Sequence, residues 1–218
     1  MASFLITTLP ILVLRWVPPP ISMFMAIAKA SALLQGETAF RLQYQWIPWE
    51  TISPHVKLAV VAAEDQTFAD HLGFDFRAMQ KALVSNQHSK TLRGGSTLSQ
   101  QTAKNLFLYP GRSYLRKMIE AYLTALIELS WPKQRILEVY LNIAEFGKGI
   151  YGVEAASQAF FRKSAATLSP QEAALLAAVL PNPVLLRVEH PTAYVQRRRH
   201  WIARQMQRLG GAQYLEGL

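Results

Sequence analysis

Hydrophobic positions recur along most of this chain at intervals of three and four, and polar or proline-rich breaks separate the runs. That pattern predicts a mainly α protein. Residues 1–17 (MASFLITTLPILVLRWV) carry no charge before Arg15, and Val17 followed by three prolines ends any helix there. A second apolar stretch, Ile21 to Ala32, fits a short helix. Phe40 to Ile52 holds Tyr44, Trp46, Ile47 and Trp49 and reads as extended, with one short strand. Ser53-Pro54 then opens a helix with proline at its first position, and Leu58 to Ala63 forms its uncharged end. Phe76 to Val84 places Met79, Ala82 and Leu83 at helical spacing, and Asn86 to Arg93 reads as a mobile polar loop. Tyr114 to Leu129 is strongly periodic, with Leu115, Met118, Ile119, Tyr122, Leu123 and Leu126 on one wide apolar face. Trp131-Pro132 breaks the chain before a helix from Lys133 to Phe146, which turns Ile136, Leu137, Tyr140 and Leu141 to the core. Ser169-Pro-Gln-Glu172 is a capping box for the apolar helix Ala173 to Leu180. Pro191 to Leu209 is helical in period, with Trp201, Ile202 and Met206 inward, and Gly210-Gly211 stops it.

The 218 residues suffice for one sizeable core. A formal net charge of +9 calls for an anionic partner: nucleic acid, an anionic membrane surface or a phosphate-bearing substrate. The absence of cysteine excludes disulfides, thiol catalysis and thiolate metal sites. Arginines 197–199, 204 and 208 form a solvated face that suits anionic head groups. They are not a nucleic-acid interface, since no reading helix, stacking platform or metal finger accompanies them. The uncharged start is shorter than the roughly 20 residues that cross a bilayer. It fits the outer part of a transmembrane helix, an uncleaved signal-like anchor, or an arm packed on the domain. The expectation is an anchor, with Arg15 and Trp16 at head-group level. Residues 1–32 are thus expected as a membrane-anchoring segment and surface arm, and 33–218 as the domain.

Candidate chemistry begins at Glu64-Asp65, adjacent carboxylates at the exit of an apolar helix. Neighbours on a helix point about 100° apart, so one acid faces a cleft while the other ties down the following loop. Gly94 to Leu108 (GGSTLSQQTAKNLFL) offers Ser96 and Thr97 as helix caps, with exposed amides that attract anions. Gln100, Gln101, Lys104 and Asn105 follow, a polar set suited to sugar or phosphate. Arg116 and Lys117 lie four and three residues from Glu120, neighbours on one helix face. Two further matches carry nothing. Gly147-Lys-Gly149-Ile-Tyr-Gly152 fits a dinucleotide fingerprint but lacks the strand–turn–helix setting. Ser130-Trp-Pro-Lys133 fits a penicillin-binding motif, but Pro132 interrupts its helical turn.

The ordered blocks EDQTFADHLGF, GGSTLSQQTAKNLF, RKMIEAYLTALIEL, KQRILEVYLNIAEFGKGIYGVEAASQAFF and LSPQEAALLAAVLPNP span most of residues 58–183. Together they resemble the peptidoglycan glycosyltransferase family, and with no second catalytic domain the chain is similar to its monofunctional members. The resemblance implies a lysozyme-like helical domain held by a single-pass anchor in the bacterial inner membrane and facing the periplasm. Its substrates would be lipid II and the growing glycan strand, joined with inversion as undecaprenyl pyrophosphate leaves. It also implies roles: Glu64 as general base, Lys104, Arg116 and Lys117 on the pyrophosphate, and Glu120 orienting them. Ser96, Thr97, Gln100, Gln101 and Asn105 would line the substrate groove, with the apolar residues near 21–32 as a surface for the lipid chain. No cofactor is required, no protein metal site is expected, and a divalent cation would ride on the substrate pyrophosphate. Cell-wall synthesis or division proteins are candidate partners. A lytic enzyme on the same fold and a non-catalytic wall protein are the alternatives. The first has little use for three cations, and the second has little use for both acids.

Overall fold

In a computed structural model, residues 2–88, 95–111 and 113–218 are described. Two helices form the centre. α3 (Pro54–Glu64) and α9 (Pro170–Val179) are almost wholly apolar, and every residue from Val56 to Ala62 and from Ala173 to Val179 is buried. A helix apolar all round is stable only where neighbours cover each face. The starts are set as the sequence predicts. The Ser53 hydroxyl accepts from the His55 N–H with Pro54 next, and Ser169 and Glu172 close a reciprocal capping box. Around this pair lie α4 (Phe76–His88), α5 (Leu98–Phe107), α6 (Tyr114–Ser130), α7 (Lys133–Ile143), α8 (Val153–Phe161) and α10 (Ala193–Arg208). The expected loop from Asn86 therefore begins as helix up to His88, and the rest of it lies outside the described residues.

A small sheet joins the extended segment to a hairpin that the hydrophobic pattern does not reveal. β1 (Gln43–Tyr44) pairs in parallel with β3 (Ile150–Tyr151), which pairs antiparallel with β2 (Glu145–Gly147). The expected helix to Phe146 thus ends at Ile143. The glycine-rich run is hairpin chemistry: Gly152 has φ +83°, and a Cβ there would lie 2.5 Å from the Asn142 carbonyl oxygen.

The N-terminal segment corrects the expectation of an anchor. α1 (Ala2–Leu14) has 13 residues, so it is about 20 Å long against a hydrocarbon core of about 30 Å. Among the described residues, no helix is long and apolar enough to cross a membrane. The single-pass inner-membrane placement is therefore not supported. Instead α1 lies on α6 and α7. Ile11 is fully buried, and its carbonyl accepts from Trp131 Nε1 at 2.7 Å. Arg135 donates to the carbonyls of Leu14 and Val17, both at 2.9 Å, capping the helix end. Arg15 is not aimed at head groups: it donates to the Ser130 carbonyl at 2.6 Å. α2 (Met23–Leu34) adds Met25 to the same core.

Only part of the periodic face of α6 meets the core, through Leu123 and Leu126. Leu115, Met118, Ile119 and Tyr122 are 40–64 % exposed, and the buried side is Glu120, Leu123, Thr124 and Ile127. With Leu9, Leu12, Val13 and Trp16 of the α1 region also exposed, this side of the molecule is unusually apolar. By contrast, Ile136, Leu137, Tyr140 and Leu141 of α7 face inward as expected.

Arg135 is the strongest tie of the N-terminal arm, because its guanidinium also pairs with Glu138 at 2.7 Å and stacks on Trp46. Arg135→Ala should lower stability by about 2–4 kcal/mol, since it strands two carbonyls and a carboxylate. It should also speed proteolysis before residue 23, both read from a melting curve and timed digestion.

Candidate active site

The site is built where α3 ends. Asp65 is buried, and its two oxygens accept from His71 Nε2 at 2.9 and 3.0 Å, while Oδ2 also accepts from the Leu98 N–H at 2.9 Å. The Gly73 N–H donates to His71 Nδ1 at 3.1 Å, which fixes the tautomer with its proton on Nε2. The Thr97 hydroxyl returns to the Gly73 carbonyl at 2.7 Å. A Cβ on Gly73 would come within 2.9 Å of both Thr124 and Glu128, so the loop needs glycine for close approach as well as for its φ of +85°. Lys133 secures the same loop, donating to the His71 carbonyl and to Glu128. The Leu98 amide at the start of α5 thus does meet an anion, but it is Asp65 of this chain.

Locking Asp65 inward turns Glu64 the other way, into a cleft. Its side chain is 14 % exposed; Oε1 accepts from Arg198 of α10 at 3.0 Å, and Oε2 accepts from Gln101 Nε2 at 3.1 Å. A carboxylate has about four acceptor positions, so two remain for a ligand. One lobe of the cleft, about 830 Å³, is lined by Glu64, Ser96, Gln101, Lys104, Tyr194 and Arg198, among others. A second, about 940 Å³, shares Glu64 and Ser96 and adds His71, Asp75, Arg77, Lys81 and Thr97. Asp75 caps α4: bonds from the Ala78 N–H and the Thr67 hydroxyl hold its carboxyl below the ordinary range.

Beside the first lobe stands a cation group. Glu120 is buried and accepts from Arg116 at 2.8 Å and from Lys117. Lys117 also reaches Ser96 at 3.5 Å. Burial holds the Lys104 ammonium below the ordinary lysine value, with nearby Glu120 opposing the shift and Arg116 adding to it. Three cations against one carboxylate leave an excess of two positive charges. Arg116 Nε and Arg198 Nε are buried without a hydrogen-bond partner among the described residues. Among those residues no cluster of three His, Asp or Glu stands together as a metal site.

The expected residues therefore separate. Glu64, Ser96, Gln101 and Lys104 meet in the first lobe, with Arg116, Lys117 and Glu120 grouped around Lys104. Gln100 is instead spent on the α5 capping box with Thr97, exchanging bonds at 3.0 and 3.2 Å, and only 2 % of it is exposed. Asn105 is half-buried and lines neither lobe. Sequence reasoning missed Arg198, with Arg197 and Tyr194, because an arginine run on an amphipathic helix reads as a solvated face; Trp201, expected inward with Ile202 and Met206, is instead 38 % exposed and lines the first lobe. The usable signal was aromatic residues at 194 and 201 flanking those arginines, unusual on a purely solvated surface.

Comparison with known proteins gives a consistent picture. A family model described as Transglycosylase matches residues 32–207. The chain is similar to the biosynthetic peptidoglycan transglycosylase of Haemophilus influenzae, 54 % identical over 209 residues that cover 95 % of this chain and 85 % of that protein. The like-named protein of Pseudomonas syringae pv. tomato is 54 % identical over 212 residues, 97 % and 89 % of the two chains. That of Pasteurella multocida is 56 % identical over 210 residues, 96 % and 85 %.

The Asp65 arrangement generates a test that is independent of any activity. In Asp65→Asn one end of the side chain becomes a donor, so it must face either the Leu98 N–H or His71 Nε2–H. Flipping the histidine tautomer only moves the clash to Gly73. Stability should fall by about 1–3 kcal/mol, read as a lower melting temperature. Parent-like melting would show that the bonds to Asp65 are not needed to hold the loop.

Proposed function

The chain belongs to the transglycosylase family, and with that as premise we propose that it polymerises lipid II into β-1,4-linked glycan, releasing undecaprenyl pyrophosphate. It is a peptidoglycan glycosyltransferase of cell-wall synthesis. The observation that carries the finer reading is the pairing of one carboxylate in a two-lobed cleft with a cation group beside one lobe.

Transfer needs three things from the protein. A sugar hydroxyl is a weak nucleophile until a base takes its proton as the new bond forms. Glu64 stands where the lobes meet, within reach of an acceptor in one and a donor in the other. The breaking bond at the anomeric carbon delivers its electrons to the pyrophosphate, and fixed cations stabilise that charge without reorganising. Lys104, Arg116 and Lys117 fill this role, and Arg198 adds a guanidinium with a spare donor. Glu120 is the positioning partner of the cations. It is buried against two of them and lines neither lobe, so it does not face an acceptor hydroxyl in the cleft as Glu64 does. Ser96 and Gln101 supply hydrogen bonds to the substrate's sugars. The exposed apolar sides of α6 and α1 suit the polyprenyl chain and the lipid surface that holds it. A hydrolase would need the carboxylate but not the surplus of positive charge.

Glu64→Gln keeps the shape and cannot accept a proton. With labelled lipid II, its initial rate of polymerisation should fall by about 10²- to 10⁴-fold while substrate binding and melting temperature persist. The product is verified by its digestion with lysozyme, and a parent-like rate would place the base elsewhere.

Lys104 gives a test against pH. Because burial lowers its proton affinity, its charge is lost as pH rises through a value below that of an ordinary lysine. The KM for lipid II should therefore climb on the alkaline side, and Lys104→Arg, which stays charged, should delay that climb. Identical alkaline profiles would remove Lys104 from the pyrophosphate site.

A further inference from the structure

Glu64 is held through a chain of bonds that begins in the hydrophobic core. The Tyr140 hydroxyl on α7 donates to Gln101 Oε1 at 3.1 Å, and Gln101 Nε2 donates to Glu64 Oε2 at 3.1 Å. We propose that Tyr140 is a positioning residue for the reaction: its hydroxyl fixes which end of the Gln101 amide meets Glu64. The inference rests on reading Glu64 as the base.

A glutamine amide presents a donor end and an acceptor end of nearly equal shape. Turned over, it would set Oε1 against the Glu64 carboxylate, acceptor against acceptor. It would also leave the Tyr140 hydroxyl hydrogen without an acceptor among the described residues. Both costs favour the observed orientation. Tyr140 remains a donor throughout the working range, because burial, reinforced by nearby Glu64, pushes its phenol well above the ordinary value.

Rigidity is the second part of the argument. Tyr140 is 2 % exposed, and its neighbours in sequence, Val139 and Leu141, are fully buried, so its ring is fixed by the core. Gln101 is half-buried, carries three side-chain torsions and borders the open lobe. Without the phenol, its amide is free to swing into that lobe. Glu64 would then keep Arg198 as its polar tether from α10 and lose the one from α5. Tyr140 touches neither lobe, so it acts only through Gln101.

Tyr140→Phe removes the hydroxyl and keeps the ring. With labelled lipid II, kcat should fall about three- to ten-fold, the rate equivalent of one neutral hydrogen bond. KM should stay within about two-fold, and the melting temperature near the parent's. In a Gln101→Ala background the same substitution should cost nothing further, because its route to Glu64 is already cut. Parent-like kcat, or an equal loss in both backgrounds, overturns the proposal. If Tyr140→Phe melts below the assay temperature, Gln101→Met tests the same chain from the cleft side, and a parent-like kcat there overturns it too. Glu64→Gln run in parallel separates the two ideas. A fast Glu64→Gln removes the base reading and this proposal with it. A slow Glu64→Gln beside a parent-like Tyr140→Phe removes this proposal alone.

Discussion

Asp65 accepts three hydrogen bonds in a buried position, and the geometry of the cleft follows from where they come from. The carboxylate at the end of α3 collects His71 from the following loop and the Leu98 N–H from the start of α5, so one side chain sets three segments at once. Asp65 has left the helix, with φ −161° and ψ 77°, and turns inward, while Glu64, the last helical residue, faces the cleft. Gln101, one turn into α5, then arrives beside Glu64 by construction. Lys133 braces the same loop from α7 while paired with Glu128 of α6, and Gly73 lets the loop pass close against Thr124 and Glu128. The energetic logic is that of a satisfied buried charge: losing either donor, His71 or the Leu98 N–H, leaves a mostly buried carboxylate under-satisfied.

Electrostatics divide the cleft in a second way. The proposed base is met by Arg198 on one side and lies near Lys104 on another, yet the surplus positive charge sits with Lys104, Arg116 and Lys117. Glu120 gathers two of those cations without neutralising the group. A single acid beside concentrated positive charge suits a reaction in which a proton leaves one substrate and an anionic group leaves the other. The exposed apolar side of α6 continues from the same helix that carries Arg116 and Lys117, so charged and lipid parts of one substrate can meet one element.

Much of this was legible in the chain before folding. α7, the capping box at Ser169 and the helix start at Ser53-Pro54 are local rules, and local rules survive tertiary context. The division of labour between Glu64 and Asp65 was partly legible, since helical angle requires the acids to part, though not which one turns inward. What failed to show depends on partners distant in sequence. The β2–β3 hairpin is too short to register as alternation. Arg198 reaches Glu64 across 134 positions, and no periodicity announces that. Gln100 looked like a groove residue until the cap claimed it. The apolar face of α6 was read from its period, but a period cannot say whether the face meets core or outside. At the N-terminus, an uncharged run suggested a spanning anchor, but no described helix is long and apolar enough to cross a membrane, and the acceptors the run offers bring Trp131 and Arg135 onto it.

The central claim is that the acid of α3, not the buried acid of α6, removes the acceptor's proton. Chemical rescue addresses it directly: polymer formation by Glu64→Ala and by Glu120→Ala, measured against increasing formate, which can enter an emptied carboxylate position and act as a base. The account predicts that formate restores polymer in Glu64→Ala in proportion to its concentration and leaves Glu120→Ala unchanged. Rescue of Glu120→Ala alone would contradict it.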